Sequence, residues 1–203
     1  MLGLRCAAVA AVLSLPVSAQ AVVIDFDPLE AEHGWYSQIG YGYEEDGFEV
    51  TAGAEESNGL GVWGTEGPGY QGSAALFNDT PGGVVTLRRI GGGAFALDAI
   101  DLAGLYAASA ASITFDAILA IGGTASQTFQ LDALAGFETF TFGSLFDDIL
   151  SVSWMQSSPY HQFDNIAADS ASGTPAPVPL PASLPLLLGA LGAVALVRRA
   201  RTA

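Results

Sequence analysis

The sequence predicts an all-β body, an antiparallel β-sandwich of jelly-roll type, spanning residues 22–168. Three observations predict it. Short runs rich in β-branched and aromatic residues recur at a spacing of about 8 to 12 residues. Glycine, proline, asparagine and aspartate collect between those runs, where turns are needed. No stretch of the body sustains an apolar repeat of helical period.

The elements follow in order. Residues 22–26 (Val-Val-Ile-Asp-Phe) are a β-branched run and predict the first strand, after which Asp27 and Pro28 open a loop. Trp35, Tyr41 and Tyr43 are interleaved with polar and glycine positions, and residues 48–51 form a further strand. Residues 53–72 read as one long glycine-rich loop carrying Trp63, Pro68 and Tyr70, and loops of that length usually carry function. A short strand at 73–77 runs into the turn Asn-Asp-Thr-Pro-Gly-Gly at 78–83. The next strand, 84–90, stops at Gly91, Gly92 and Gly93.

Residues 95–105 alternate apolar and polar but slip once, which predicts a bulge. Ile113, Phe115, Ala117 and Leu119 then share one face of a strand, with Thr114 and Asp116 opposite. Gly122 and Gly123 turn the chain into residues 127–131. Phe140 and Phe142 alternate with Thr139 and Thr141. Leu150, Val152 and Trp154 alternate with Ser151 and Ser153, which assigns Trp154 to the core. The last strand is 161–167, and residues 169–177, rich in Ser, Gly, Thr, Pro and Ala, make a linker.

Charge narrows the function. All 21 acidic residues lie between the two chain ends, against Arg88 and Arg89 alone, and lysine is absent. Such a surface repels phosphate backbones, so nucleic acid is excluded as a partner. Solubility explains the acidity without any site, and divalent-cation binding is the sharper alternative.

The ends read as targeting segments. Residues 1–21 hold Arg5, an apolar run at 7–15 and then Pro-Val-Ser-Ala-Gln-Ala, the layout of a secretory signal. Cleavage by signal peptidase after export fits both Ala19 and Ala21. Ala21 is preferred because Val22 begins a strand. Cys6, the single cysteine, leaves with this leader, so the mature chain has no thiol and no disulfide. At the other end, residues 184–197 are apolar without a charge, roughly 20 Å of helix, and counting from Val178 gives the ~20 residues of a usual span. A buried core helix is the alternative. Arg198, Arg199 and Arg201 follow, and basic residues hold a C-terminus on the cytoplasmic side.

Val178, Pro179, Leu180, Pro181 and Ala182, followed by an apolar span and an arginine cluster, resemble the VPLPA-CTERM sorting tail, a variant of the bacterial PEP-CTERM signals. The resemblance covers residues 178–203. It implies a Gram-negative envelope, an exosortase-type sorting enzyme as partner and removal of the span. It also implies passage through the inner membrane to the cell surface, an exopolysaccharide matrix or the medium. Ile24-Asp25-Phe26 and Phe163-Asp164-Asn165-Ile166 are similar to segments of bodies found ahead of such tails, which resemble carbohydrate-binding jelly rolls.

Catalytic patterns are absent. His33 and His161 lack ligand spacing, and there is no Gly-x-Ser-x-Gly elbow, His-Glu-x-x-His or phosphate loop. Glu44-Glu45-Asp46, Glu55-Glu56 and Asp147-Asp148 are doublets whose members diverge, whereas a glycosidase needs two carboxyls facing across a sugar. The reading is therefore a non-catalytic structural or glycan-binding protein, with an extracellular glycan-active hydrolase on the same fold as the alternative. Trp63 and Tyr70 on the long loop, with Trp35 and Tyr36, are the candidate sugar platform; packing under the loop is the competing fate of each ring. Asp25 and Asp27 after the first strand, with Asp164 and Asn165 in the last, are oxygen ligands suited to a structural calcium ion if the terminal strands are neighbours. The competing role for Asp164 and Asn165 is to cap strand ends.

Overall fold

The computed structural model describes residues 22–53, 57–105 and 110–170. They form thirteen strands. In chain order these are β1 (Val22–Ile24), β2 (Tyr36–Gly40), β3 (Gly42–Glu45), β4 (Phe48–Ala52), β5 (Leu60–Trp63), β6 (Leu76–Asn78) and β7 (Val84–Arg89). Then come β8 (Phe95–Gly104), β9 (Ser112–Leu119), β10 (Thr124–Gln130), β11 (Glu138–Thr141), β12 (Ile149–Met155) and β13 (His161–Ser170).

Every pairing is antiparallel, and the strands divide into two sheets. Sheet I runs β11, β8, β13, then β1 and β6 along one edge of β13, then β5 and β2. Sheet II runs β10, β9, β12, β7, β4 and β3. A single bridge, Ile149 to Phe95, joins them at a corner. The sheets are held face to face because alternate residues of each strand are apolar and point inward. In β9, Ile113, Phe115 and Ala117 are buried while Ser112, Thr114, Asp116 and Ile118 are exposed.

Ring pairs cross the gap between the layers. Phe48 of β4 meets Phe95 of β8 at 5.2 Å, Trp154 of β12 meets Phe163 of β13 at 4.9 Å, and Phe129 of β10 stacks on Phe140 of β11 at 4.8 Å. Each fully buried side chain of this size contributes about 1.5–3 kcal/mol, so this core, with Trp154 in it, holds the layers together.

The β3–β4 hairpin turns on Asp46 and Gly47, both at positive φ (47° and 82°). That geometry suits a two-residue hairpin loop of Asp-Gly type. The slip expected in residues 95–105 is present: β8 skips Asp98 between Ala99 and Leu97 as it pairs with Ala167 and Ala168 of β13.

Four readings of the sequence are corrected. Residues 53–72 are not one loop, because β5 lies inside them; Leu60 and Val62 face the core and alternate with Gly61 and Trp63. Gly61 belongs to that strand because a Cβ there would stand 2.8 Å from the Tyr36 ring and 3.1 Å from Phe77. The short strand placed at 73–77 is Leu76–Asn78. Leu150 is 42% exposed, because the pairing of β12 with β9 shifts between Ile149 and Ser151 and puts Ile149 in the core instead. Finally β13 continues through Asp169 and Ser170, two residues into the expected linker. The expected leader (1–21), the rest of the linker and the sorting tail (178–203) lie outside the described residues. Among the described residues no helix is long and apolar enough to cross a membrane.

Candidate functional site

The outer face of sheet I at its β2 edge gathers aromatic rings. Tyr36 and Trp63 are directly paired across β2 and β5, and both point away from the core. Behind them Phe77 of β6 is buried, and Trp63 lies nearly parallel to it, with centroids 6.0 Å apart and planes at 15°. The Tyr36 ring meets Trp63 at 5.5 Å, and Trp35, just before β2, meets it edge-on at 6.2 Å and 84°. Such tilted and edge contacts satisfy the ring quadrupoles and fix orientation.

Glycines press Trp63 into place. A Cβ on Gly69 would stand 2.3 Å from the indole, one on Gly67 would stand 2.7 Å from it, and one on Gly64 would stand 2.5 Å from the backbone of Gly34. The segment after β5 therefore lies directly on the Trp63 ring, whose Nε1 is buried without a hydrogen-bond partner. Trp63 is the anchor of the cluster. Trp35 is its open face, 64% exposed, and Tyr36 is 39% exposed.

Polar groups adjoin the rings. The Tyr36 hydroxyl donates to Asp79 Oδ2 at 3.2 Å. Burial, with the Asp79 charge and this hydrogen bond, pushes the phenol up to about 12. Asn58 Nδ2 donates to the Asp79 carbonyl at 3.1 Å, and Gln38 Nε2 donates to the Asn58 carbonyl. Trp35, Tyr36, Gln38, Asn58 and Asp79 thus line one strip of planar ring, amide and carboxylate.

Of the four rings predicted for a platform, three meet here and one does not. Tyr70 donates its hydroxyl to Glu30 Oε2 at 2.7 Å, and that bond is the main cause of its raised pKa. It ties the loop to residues 27–30 instead of joining the stack. Gln38, Asn58 and Asp79 were missed. The residue type of each suits sugar hydroxyls, but only the pairing of β2, β5 and β6 brings them together.

The four expected calcium ligands do not form an oxygen cage. The terminal strands are neighbours as expected, with Ile24 opposite Ile166. Asp25 Oδ1, however, accepts from Asp27 N at 3.0 Å, in the bend where Phe26 has φ of 55°. Asp164 is fully buried and is served by protein donors, the Ser73 hydroxyl on one oxygen and Asn165 N on the other at 2.7 Å. Asn165 Nδ2 donates to Asp101 Oδ2 at 2.9 Å. Burial, helped by the charges of Asp101 and Asp27, pushes Asp164 up to about 6 against the pull of its two donors. Among the described residues no three His, Cys, Asp or Glu side chains gather as metal ligands.

The remaining titratable groups are dispersed. His33 Nδ1 lies 3.3 Å from Glu66 Oε1 in the open. His161 is buried, and burial lowers its pKa to about 4. Ser157 gives its proton to the Pro159 carbonyl at 2.6 Å, so His161 Nδ1–H donates to Ser157 Oγ at 2.9 Å. Glu44 is exposed, whereas Glu45, next to it on β3, is half-buried and accepts from Phe26 N at 3.1 Å. Glu55 and Glu56 lie outside the described residues.

No family model and no curated protein matches the chain. Among solved structures it is similar to a family 29 carbohydrate-binding module (TM-score 0.41, 11% identity, covering 79% of this chain and 99% of that one). A form of that module complexed with cellulohexaose gives a TM-score of 0.38 at 12% identity, covering 79% and 99%. The family 11 module of a cellulosomal cellulase of Clostridium thermocellum gives 0.32 at 11%, covering 74% and 95%. At 11–12% identity the likeness bears on the all-β fold and on no individual residue.

Proposed function

We propose that this chain is an exported, non-catalytic protein of the bacterial surface or extracellular matrix that holds polysaccharide on the Trp35–Tyr36 strip. One observation carries the reading: Trp35 is 64% exposed yet held edge-on by Trp63, beside Tyr36, Gln38, Asn58 and Asp79. A large ring kept rigid in water is a ready stacking surface for the apolar face of a sugar, and the adjoining amide and carboxylate groups suit its hydroxyls. We take the winding of the two sheets as a jelly roll. His33 and His161 have separate partners, Glu66 and Ser157, and no shared carboxylate, which favours binding over turnover. Delivery follows the tail: the signal at 1–21 exports the chain, and Val178, Pro179, Leu180, Pro181 and Ala182 direct an exosortase-type enzyme to it.

Trp35→Ala tests the site. Retention of the full chain on polysaccharide-coated beads should fall at least tenfold, equivalent to about 1.4 kcal/mol, while its urea midpoint stays put. Unchanged retention overturns the assignment of the strip. Intact-mass measurement on protein from its native host tests the sorting reading, which fails if the residues after Ala182 persist.

A further inference from the structure

The strip lies in a field of one sign. Glu30, Glu32 and Glu66 sit on the two segments that frame Trp35, and Asp79 sits beside Tyr36; the first three are exposed. Those segments are fastened to each other: Thr65 N donates to the Ala31 carbonyl at 3.2 Å, and Glu66 N donates to the Gly34 carbonyl at 3.0 Å. His33 is the one nearby group able to carry positive charge, and it faces Glu66. The two arginines of the body are on β7, in the other sheet. Arg88 lies 2.5 Å from Glu49 and Arg89 lies over the Phe48 ring at 5.7 Å. Neither arginine stands at the strip, so among the described residues His33, already facing Glu66, is the one group there that could meet a carboxylate or sulfate on an incoming glycan.

Resting on the glycan-binding reading, we infer that the strip takes uncharged hexose polymers and rejects uronic-acid and sulfated ones. Stacking on Trp35 is indifferent to charge, so discrimination comes from the rim. A like-charge pair about 8 Å apart in water costs roughly a factor of two in affinity, and three such pairs compound to about tenfold. Salt screens the effect beyond a Debye length of about 8 Å near physiological strength.

The test uses the full chain, with beads carrying hydroxyethyl cellulose, galactomannan, polygalacturonate or alginate. At low salt the neutral polymers should retain it about tenfold better than the uronates, and Trp35→Ala should abolish the difference by releasing the neutral ones. The double variant Glu32→Gln, Glu66→Gln should raise uronate retention about fourfold without changing neutral retention. In half-molar salt the preference should shrink below threefold. Uronate retention equal to or above neutral, still lost in Trp35→Ala, overturns this inference and leaves the glycan-binding reading intact. Retention of no polymer, or retention that ignores Trp35→Ala, overturns both.

Discussion

The two sheets share one core but present opposite outer surfaces. On sheet I the chain after β5 lies across the outer face, so side chains that point away from the core are buried a second time: Phe77 under Trp63, and Gln162 under Gly69, whose carbonyl it holds at 2.8 Å. On sheet II nothing among the described residues covers the corresponding face. Its β9, β10 and β12 part carries mostly short side chains, Ser112, Thr114, Asp116, Ser126, Thr128 and Ser153, with a shallow groove of about 280 Å³ between Ser112, Thr114, Asp116, Met155 and Ser157. Two aspartates condense the contrast. Asp164 and Asp116 each accept from a serine hydroxyl, but Asp164 is fully buried and Asp116 is exposed. A strand pattern decides which residues face out; what the next loop does decides whether facing out means facing water.

The largest way to break this contrast is to remove the ring that the covering segment rests on. Trp63→Ala deletes the stack on Phe77, the contacts with Trp35 and Tyr36, and the surface against Gly67 and Gly69. Large aromatic deletions in packed sites cost about 3–5 kcal/mol, and the incomplete burial of Trp63 places this one near 3. Trp35→Ala, by contrast, removes an open ring and should stay within about 0.5 kcal/mol, as most surface changes do. Urea unfolding of both variants decides it; equal losses would mean that Trp35 is as much core as Trp63.

A second test uses the buried aspartate. Its folded pKa of about 6 lies above the ordinary 3.8, so the folded state holds the extra proton and Asp164 withdraws stability as pH rises from about 4 to about 6. His161 acts in the other direction. Its folded value of about 4 is below 6.5, so the unfolded state holds the proton and stability grows over pH 4 to 6.5. Each spans about 2 units, roughly 2–3 kcal/mol, and between pH 4 and 6 they oppose. Asp164→Asn leaves the His161 slope exposed. The stability of the variant minus that of the wild type should climb by about 2–3 kcal/mol from pH 4 to pH 6. Glu45 and Asp169, both also raised by burial, are common to the two proteins and cancel. Urea midpoints at unit pH steps measure it, and a flat difference would refute the burial of Asp164.

Most of the fold was legible because period-two patterns are local. The burial of Trp154, the faces of β9 and a slip within residues 95–105 all follow from residues read in order. β5 was missed because four glycines at 59, 61, 64 and 67 disguise a four-residue strand, and a glycine that admits a neighbouring ring looks in sequence like one that makes a turn. Asp46-Gly47 is a hairpin signal legible in the sequence, with both residues at positive φ between β3 and β4. The site was half legible. Ring identity pointed to Trp35, Tyr36 and Trp63, but Asn58 and Asp79 reach the strip through pairings between strands distant in sequence. The protein donor on Asp164 was illegible for a similar reason, since Ser73, which donates to it, is 91 residues away in the chain.

The smallest expected effect sharpens the comparison from the other side. Thr114 and Thr128 face each other on the outside of sheet II with hydroxyls 2.8 Å apart. Thr114→Val keeps the β-branch and removes that pairing, and because both positions are exposed, water replaces the lost partner. Stability should therefore change by less than about 0.5 kcal/mol. Retention on hydroxyethyl cellulose should not change at all, since the ring surface lies on the other sheet. A tenfold fall in retention with an unmoved urea midpoint would reverse the assignment, making the hydroxyl-paved face the one that holds polymer and the aromatic cluster a device for pinning down a loop.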